Sequence, residues 1–323
     1  MPRISVCIPV YNLEQYIAEA LDSLKAQTYQ DYEAIIVNDG STDKSEEIIT
    51  PYLEDPRFRY IYQENGGVAR ARETATLAAE GEWFAHLDGD DLSLPDKLER
   101  QIALIDSEKR TNLVYGNVVM FFEDGRERIA YTKPMPKGDI IRELYRDNFL
   151  CTSSVMIKTA DIKAVGGYPI LPYGEDYMMW LRIARKGVWA ARSMEVVARY
   201  RLRAHSQVSD TLLNNRKQIE IMTEALNAED RPHLAAILLA GLKQVKRSIA
   251  YGEARQAAKS GKGDIETLLW QSWGFNRQGY KRLGLAALYS LSKVTKIKRF
   301  RDAVIRQLTK STVREEIASD NQP

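Results

Sequence analysis

The sequence predicts an α/β fold: a mostly parallel sheet with helices on both faces, followed by a helical C-terminal extension. Two observations carry this. From Arg3 to Leu87 short apolar, β-rich runs alternate with segments of helical period, the pattern of stacked βαβ units. After about Ser209 the strand signal stops and the texture becomes helix-rich up to about Lys310.

Arg3 to Val10 is apolar almost throughout and ends in Tyr11-Asn12, which reads as a strand buried on both faces. Between Leu13 and Gln27 the apolar positions Tyr16, Ile17, Ala20, Leu21 and Leu24 recur at helical spacing. Tyr32 to Val37 is the second strand. Asn38-Asp39-Gly40-Ser41-Thr42-Asp43 then forms a turn with a helix cap in it, before a helix through Ile48, Ile49 and Leu53. Phe58 to Tyr62 gives a third strand, Val68 to Glu80 a third helix and Trp83 to Leu87 a fourth strand, with Pro95-Asp96 starting the next helix. Further on, helices are expected over Leu212 to Leu226, from Pro232-His233 through Ile249, and through Leu268, Leu269 and Trp273, the last two separated by a linker at Lys259 to Asp264.

Ligands of such sheets bind at the carboxyl ends of the strands. Three polar clusters fall there: Pro9 to Asn12, Asn38 to Asp43, and Asp88-Gly89-Asp90-Asp91. The last places three carboxylates at one strand mouth, where they repel and raise one another's pKa unless a cation lies between them. A hard divalent ion, Mg²⁺ or Mn²⁺, held by one or two carboxylates keeps its other positions for water and substrate phosphates. A nucleotide diphosphate bridged to the protein by such an ion suits this floor. Tyr11 is then a stacking face or a partly buried aromatic, and Asp39 an acceptor for a base N–H or only the first residue of an Asp-Gly turn.

The motifs Ile8-Pro9-Val10-Tyr11-Asn12, Val37-Asn38-Asp39-Gly40-Ser41-Thr42-Asp43, Asn65-Gly66-Gly67-Val68-Ala69-Arg70-Ala71-Arg72 and Leu87-Asp88-Gly89-Asp90-Asp91 stand in this order. With Gly174-Glu175-Asp176 and the segment Tyr200 to Ser209, they resemble the family 2 glycosyltransferases, whose A-type fold is Rossmann-like. The likeness extends over about two-thirds of the chain, and six ordered motifs are more specific than any one. The resemblance implies that Tyr11 and Asp39 hold the nucleobase, most often uracil, with Pro9, Asn12, Gly67, Arg70 and Gly89 lining the nucleotide site. It implies Asp88 as a ribose or metal contact, Asp90 as the principal metal ligand, and His205 as a further metal or diphosphate contact. Asp176 would be the general base, with Glu175 beside it. Two alternatives stay open. Glu175-Asp176 also reads as the acidic first turn of a helix through Trp180, Leu181 and Ile183, and Arg70 and Arg72 as a solvated helix face, the reading favoured for Arg72.

The implied activity is an inverting, metal-dependent transfer of a sugar from a nucleotide diphosphate, a UDP-sugar, to a surface-glycan or lipid-linked saccharide. One in-line displacement needs one base, whereas retention through a covalent sugar needs a nucleophile on the opposite side. The sequence has no Gly-x-Gly-x-x-Gly after the first strand and no phosphate loop ending in Gly-Lys-Ser/Thr, which argues against a dinucleotide dehydrogenase and a P-loop enzyme. A sugar-phosphate nucleotidyltransferase is the enzyme alternative, but Pro9-Val10-Tyr11-Asn12 lacks the Gly-rich basic loop it would need. A non-catalytic nucleotide-sugar-binding subunit is the other.

With 323 residues, 44% of them hydrophobic, the chain can bury a substantial core and hold two domains. The expected division is a catalytic domain over 1–210, with a nucleotide-sugar half to about 122 and an acceptor half from 123, and a helical region over 211–323. Asn148 to Ser154 and Gly166 to Tyr173 are the loops expected to choose donor sugar and acceptor. A net charge of +2 offers no argument for nucleic acid. Only Cys7 and Cys151 are cysteines, which suits a reducing cytosol, and the N-terminus runs directly into the fold, an expectation of no signal peptide. Leu234 to Leu242 is about half the roughly 20 residues of a membrane span. In the Lys- and Arg-rich segment from Arg277 to Lys310, Leu285, Leu288, Val294, Ile297, Val304, Ile305 and Leu308 form an apolar flank. It is read either as a peripheral contact with anionic lipid at the cytoplasmic membrane face, or as a helix packed on the catalytic domain or on another subunit of a homo-oligomer. From about Ser311 the chain is polar enough to be disordered.

Overall fold

Every residue of β1 (Ile4–Val10) and β2 (Tyr32–Asp39) is buried, as strands covered on both faces require. The computed structural model describes residues 1–203, 211–260, 262–272, 281–283, 285–287, 289–290 and 298–309. They fall in two units, Met1–Ser209 and Asp210–Pro323.

In the first unit β3 (Phe58–Gln63), β2, β1 and β4 (Trp83–His86) lie side by side and parallel. The crossovers are α1 (Ile17–Lys25), α2 (Ser45–Ile49) and α3 (Val68–Ala78). Ile4, Val6, Ile8 and Val10 form one alternating face of β1 and share a core with Ile17, Leu21 and Leu24 of α1. Two helices depart most from the sequence reading. α1 begins at Ile17 because Leu13 to Tyr16 close a turn of their own, with the Tyr16 N–H on the Leu13 carbonyl at 2.9 Å. α2 stops at Ile49 and continues as a 3₁₀ turn, Thr50–Glu54, where Pro51 supplies no N–H to an α-helical ladder.

The rest of the sheet is mixed. It comprises β5 (Leu92–Ser93), β6 (Leu113–Phe122), β7 (Glu127–Ile129), β8 (Met156–Lys158) and β9 (Ala190–Leu202). The strand order is β3-β2-β1-β4-β8-β6-β9-β5, with β7 on β6. β8 is antiparallel to β4 and β6, β6 and β9 are parallel, and β5 runs antiparallel to β9. Between these strands stand α4 (Lys97–Ser107), α5 (Ile141–Leu144), a 3₁₀ turn at Thr152–Ser154, α6 (Thr159–Ala164) and α7 (Glu175–Gly187). The strand order reverses between β1 and β4, the topological switch point at which ligands of α/β sheets bind.

In the second unit α8 (Thr211–Ala228), α9 (Pro232–Ser260), α10 (Ile265–Ser272) and α11 (Lys298–Thr309) are described. α9 runs past Ile249 into the expected linker. Its Gly252 is where α8 comes close: a Cβ there would lie 2.5 Å from Leu212 Cδ2. Val304 and Leu308 of α11 are buried with Ala254, Ala257, Ile265 and Leu269, and Leu285 packs against them. For these residues the apolar flank of the basic segment is used in packing within the unit. His205 and the tail from Ser311 lie outside the described residues. Among the described residues no helix is long and apolar enough to cross a membrane.

His86 marks how closed the centre of the sheet is. Its Nδ1 lies 3.0 Å from the Val155 carbonyl, which only accepts, so Nδ1 carries the proton and Nε2 accepts from the Tyr168 hydroxyl. Burial, with Arg72 nearby, pushes its pKa down to about 3. Between pH 6.5 and about 3 the unfolded chain therefore binds a proton that the folded chain refuses. The stability due to neutral His86 is fully present above 6.5 and is lost as the pH falls. Urea unfolding should show wild type losing about 2 kcal/mol more than His86→Asn between pH 7 and pH 5; equal losses would contradict this account.

Candidate active site

The ends of β1 and β2 are laced together by short polar side chains. Asn12 adopts φ +52°, rare for a residue with a Cβ. There its Oδ1 accepts the Thr42 N–H at 2.8 Å, while its own N–H reaches Ser41 Oγ at 3.1 Å. The next two N–H groups, of Leu13 and Glu14, bond Ser45 Oγ and Asp43 Oδ2, each at 2.9 Å. Tyr11 stands at this mouth half exposed. Asp39 is buried, and its carboxylate holds the start of α3: Gly66 N–H on Oδ1 at 2.9 Å, Gly67 N–H on Oδ2 at 2.8 Å, and Gln63 Nε2 on Oδ1 at 2.6 Å. Three of about four acceptor positions are thus occupied. Gly67 sits at φ +85°, and Arg70 folds back so closely over Gly66 that a Cβ there would meet Arg70 Cδ at 2.3 Å.

At the mouth of β4 the four-residue acidic turn packs against β1. A Cβ on Gly89 would lie 2.7 Å from Leu13 Cδ1 and 3.1 Å from the Pro9 carbonyl, so this position admits no larger residue without a shift. Each acid has a different partner. Asp88 Oδ1 takes Arg72 Nη2 at 2.5 Å, and Asp90 Oδ2 takes Arg203 Nη2 at 2.6 Å. Asp91, fully buried, accepts Ser153 Oγ at 2.5 Å and the Arg201 N–H at 2.8 Å. Arg201 also gives Nε to the Asp90 carbonyl at 2.8 Å and Nη2 to Glu19 at 2.9 Å, with its guanidinium over the Tyr16 and Phe121 rings. Crowding is visible in the proton affinities. Burial and then Asp88 push the Asp90 carboxyl up against Arg203 and Arg201, and burial, Asp90 and Asp88 push Asp91 well above the carboxylate range.

Arg72 joins this turn to α7. It is fully enclosed, with Nη2 on Asp88 and Nη1 on Glu175. The reading of Arg72 as solvated is therefore corrected. It falls on the inner helical period with Ala69, Ala75 and Thr76, whose small side chains leave room for one long cation. Burial pushes the Glu175 carboxyl up to about 7 against the pull of Arg72. Asp176 follows on the first turn of α7, part-exposed, with Oδ1 on the Tyr177 N–H and Oδ2 on Thr152 Oγ1, both at 2.6 Å. Trp180 of the same helix is fully buried in the core.

The fold thus gathers Pro9, Tyr11, Asn12, Asp39, Gly67, Arg70, Asp88, Gly89 and Asp90 along the carboxyl ends of β1, β2 and β4 and the start of α3, and Arg72 ties Glu175, with Asp176 next to it, to that edge. The sequence reading held Thr152 and Ser153 only as part of the loop Asn148 to Ser154, and it passed over Lys97. Lys97 is fully buried, gives Nζ to the His86 and Ser153 carbonyls at 2.8 and 2.6 Å, and has its pKa lowered by burial to about 8. Its signal was a lysine four residues before Gln101 on the buried face of α4. Among the described residues no cluster of three or more His, Cys, Asp or Glu side chains is arranged to hold a metal.

A profile described as Glycosyl transferase family 2 matches residues 5–163. An uncharacterised glycosyltransferase of Rickettsia typhi is 31% identical over 228 residues, 68% of this chain and 70% of that protein. One from Rickettsia felis is 29% identical over 253 residues, 72% of this chain; the chain spans only 41% of that relative's length. Among solved structures, S. aureus TarS 1–349 in complex with UDP-GlcNAc has a TM-score of 0.61 at 20% identity, over 94% of this chain and 91% of its own. The mannosyltransferase PcManGT of Pyrobaculum calidifontis, in complex with GDP-Man and Mn²⁺, has a TM-score of 0.62 at 17% identity, over 99% of this chain and 88% of its own. At such identities the likeness is one of fold.

Removing one partner of a buried ion pair strands the other. Arg72→Met should lower stability to urea by about 3–5 kcal/mol, and adding Glu175→Gln should recover part of the loss. A change below about 1 kcal/mol in the single variant would contradict a buried bridge.

Proposed function

Because the chain belongs to glycosyl transferase family 2, we propose that it transfers a sugar from a nucleoside diphosphate, a UDP-sugar, to a hydroxyl of a saccharide acceptor, with inversion at the anomeric carbon. The observation that carries this reading is the guanidinium of Arg72, shared between Asp88 at the mouth of β4 and Glu175 at the start of α7. It sets the candidate diphosphate floor one ion-pair relay from the helix turn that bears Asp176. TarS with UDP-GlcNAc and PcManGT with GDP-Man and Mn²⁺ are neighbours in fold whose ligands are of this donor class.

In this reading Tyr11 offers its exposed ring to the base, and the remaining acceptor position of Asp39 takes a base N–H. Arg70 lies over Gly66 at the same edge and faces the diphosphate. Asp88 and Asp90 suit a divalent cation: two carboxylates beside substrate phosphates are the usual donor set of Mg²⁺ and Mn²⁺, and the raised Asp90 carboxyl has charge for a cation to relieve. His205 is the further ligand that the resemblance implies. When bound, the ion neutralises charge on the leaving diphosphate.

Asp176 takes the proton of the acceptor hydroxyl as that oxygen bonds to the anomeric carbon. The bond from that carbon to the diphosphate oxygen breaks on the opposite face, and its electron pair leaves with the nucleoside diphosphate. Glu175, tied to Arg72, holds the first turn of α7 in place. The acceptor is proposed to be a surface glycan or a lipid-linked saccharide, met by the loops Asn148 to Ser154 and Gly166 to Tyr173. A contact with anionic lipid rests only on the Lys and Arg density of residues 277–310.

Calorimetric titration of UDP should show binding with Mn²⁺ that disappears with EDTA and in Asp90→Ala. Binding of UDP that ignores both would contradict the assignment of the acidic turn. Asp176→Asn should keep UDP binding and lose about 10²–10⁴-fold in turnover, and an unchanged rate would remove the base. Release of pyrophosphate from UTP and a sugar phosphate would instead support a nucleotidyltransferase.

A further inference from the structure

We infer that Thr152 is a positioning residue for the transfer, its hydroxyl holding the Asp176 carboxylate in the orientation from which that group takes the acceptor's proton. The inference rests on the reading of Asp176 as the general base and adds a residue that the motifs do not contain.

Thr152, Ser153 and Ser154 form a single 3₁₀ turn, and all three side chains are buried. Thr152 Oγ1 donates to Asp176 Oδ2 at 2.6 Å, while the Tyr177 N–H holds Oδ1 at 2.6 Å. With one donor on each oxygen the carboxylate cannot rotate without breaking a bond, and each oxygen keeps a lone pair for a proton. The β-branch of threonine restricts χ1, so the hydroxyl is aimed by its own backbone. A valine would fill the same volume without the donor.

The turn itself is held from several sides. Ser153 Oγ accepts the Asp88 N–H at 3.1 Å and donates to Asp91 Oδ2 at 2.5 Å. From beneath, Lys97 Nζ reaches the Ser153 carbonyl at 2.6 Å and Gln101 Nε2 the Ser154 carbonyl at 2.8 Å. These two side chains lie four apart on one face of α4 and act as a pair of props. The Ser154 hydroxyl closes the turn on the Cys151 carbonyl at 2.7 Å. One rigid turn therefore touches the donor-side acids through Ser153 and the base through Thr152. Among the described residues, Glu175 on its own helix, Arg72 from α3 and Tyr168 from the segment before α7 couple electrostatically to Asp176. Thr152→Val leaves all of them in place.

The test compares wild type, Thr152→Val, Thr152→Ser and Asp176→Asn, with hydrolysis of a UDP-sugar as the reaction, water standing in for the acceptor. Thr152→Val should bind UDP with Mn²⁺ within about twofold of wild type. Its kcat should fall roughly 10–100-fold, the range that slight misplacement of a reacting group brings, with KM little changed and the acid limb of the kcat profile displaced. Thr152→Ser should restore both rate and profile. If Asp176→Asn is inactive while Thr152→Val keeps the wild-type rate and profile, the positioning role is wrong and the base assignment stands. A rate lost equally in the serine and valine variants, with lowered thermal stability and an unmoved profile, would mean that Thr152 only supports the fold. Full activity in Asp176→Asn would remove the base, and this inference with it.

Discussion

Five carboxylates drawn to one edge of a sheet are the constraint on which the rest of this structure turns. Asp88, Asp90 and Asp91 end β4, and Glu175 and Asp176 open α7. Left to themselves they would repel, and burial would protonate several of them. The protein meets that charge with long cations from distant parts of the chain: Arg72 between Asp88 and Glu175, Arg203 on Asp90, Arg201 behind Asp90 and Asp91. Each crosses from another element, so the ion pairs also decide how α3, β9 and α7 approach the end of β4. The proton affinities of Asp90, Asp91 and Glu175 stay raised even so. Burial is the first cause for all three, so the charge gathered at this edge stays costly despite the arginines.

The same contacts join two tasks. Asp39 fixes the loop that starts α3, and α3 carries Arg72 and Glu73. Arg72 grips Glu175, while the Glu73 carboxylate takes the Tyr168 N–H at 2.6 Å and fills the space against Gly167 where a Cβ would stand. α3 thus runs as one rigid piece from the candidate base site to the segment leading into α7. On the other side, Lys97 and Gln101 of α4 support the turn that contacts Asp176. The proposed chemistry needs a leaving group and a general base aligned across one carbon, and Arg72, Lys97 and Gln101, all buried, brace the segments that carry them.

The first half of the sheet was legible because its signals are local. Unbroken apolar runs mark β1, β2 and β4, and the Ile17, Leu21 and Leu24 spacing marks α1. The second half was not, since β5 has two residues and β8 three, too few for a period, and β9 pairs with β6 across an intervening stretch of chain that no pattern announces. Among site residues, the acids stood out because aspartates ending an apolar strand are conspicuous. Arg72 did not, because a cation on a helix most often faces water, and only its buried partners on two other elements reverse that. Asp39 carried half of its meaning in sequence: the Asp-Gly turn was plain, whereas its hold on Gly66 and Gly67 depends on the pairing of β2 with β3.

The central claim is that the acidic end of β4 receives the diphosphate of a nucleotide through a divalent ion. The most direct measurement is an anomalous difference map from crystals grown with UDP and Mn²⁺. The account predicts one strong peak within bonding distance of Asp90, about 2.0–2.2 Å as for a hard divalent ion on oxygen, with the diphosphate beside it and the uracil on Tyr11. A peak at another place in the chain, or UDP bound with its phosphates turned away from Asp88 and Asp90, would contradict it.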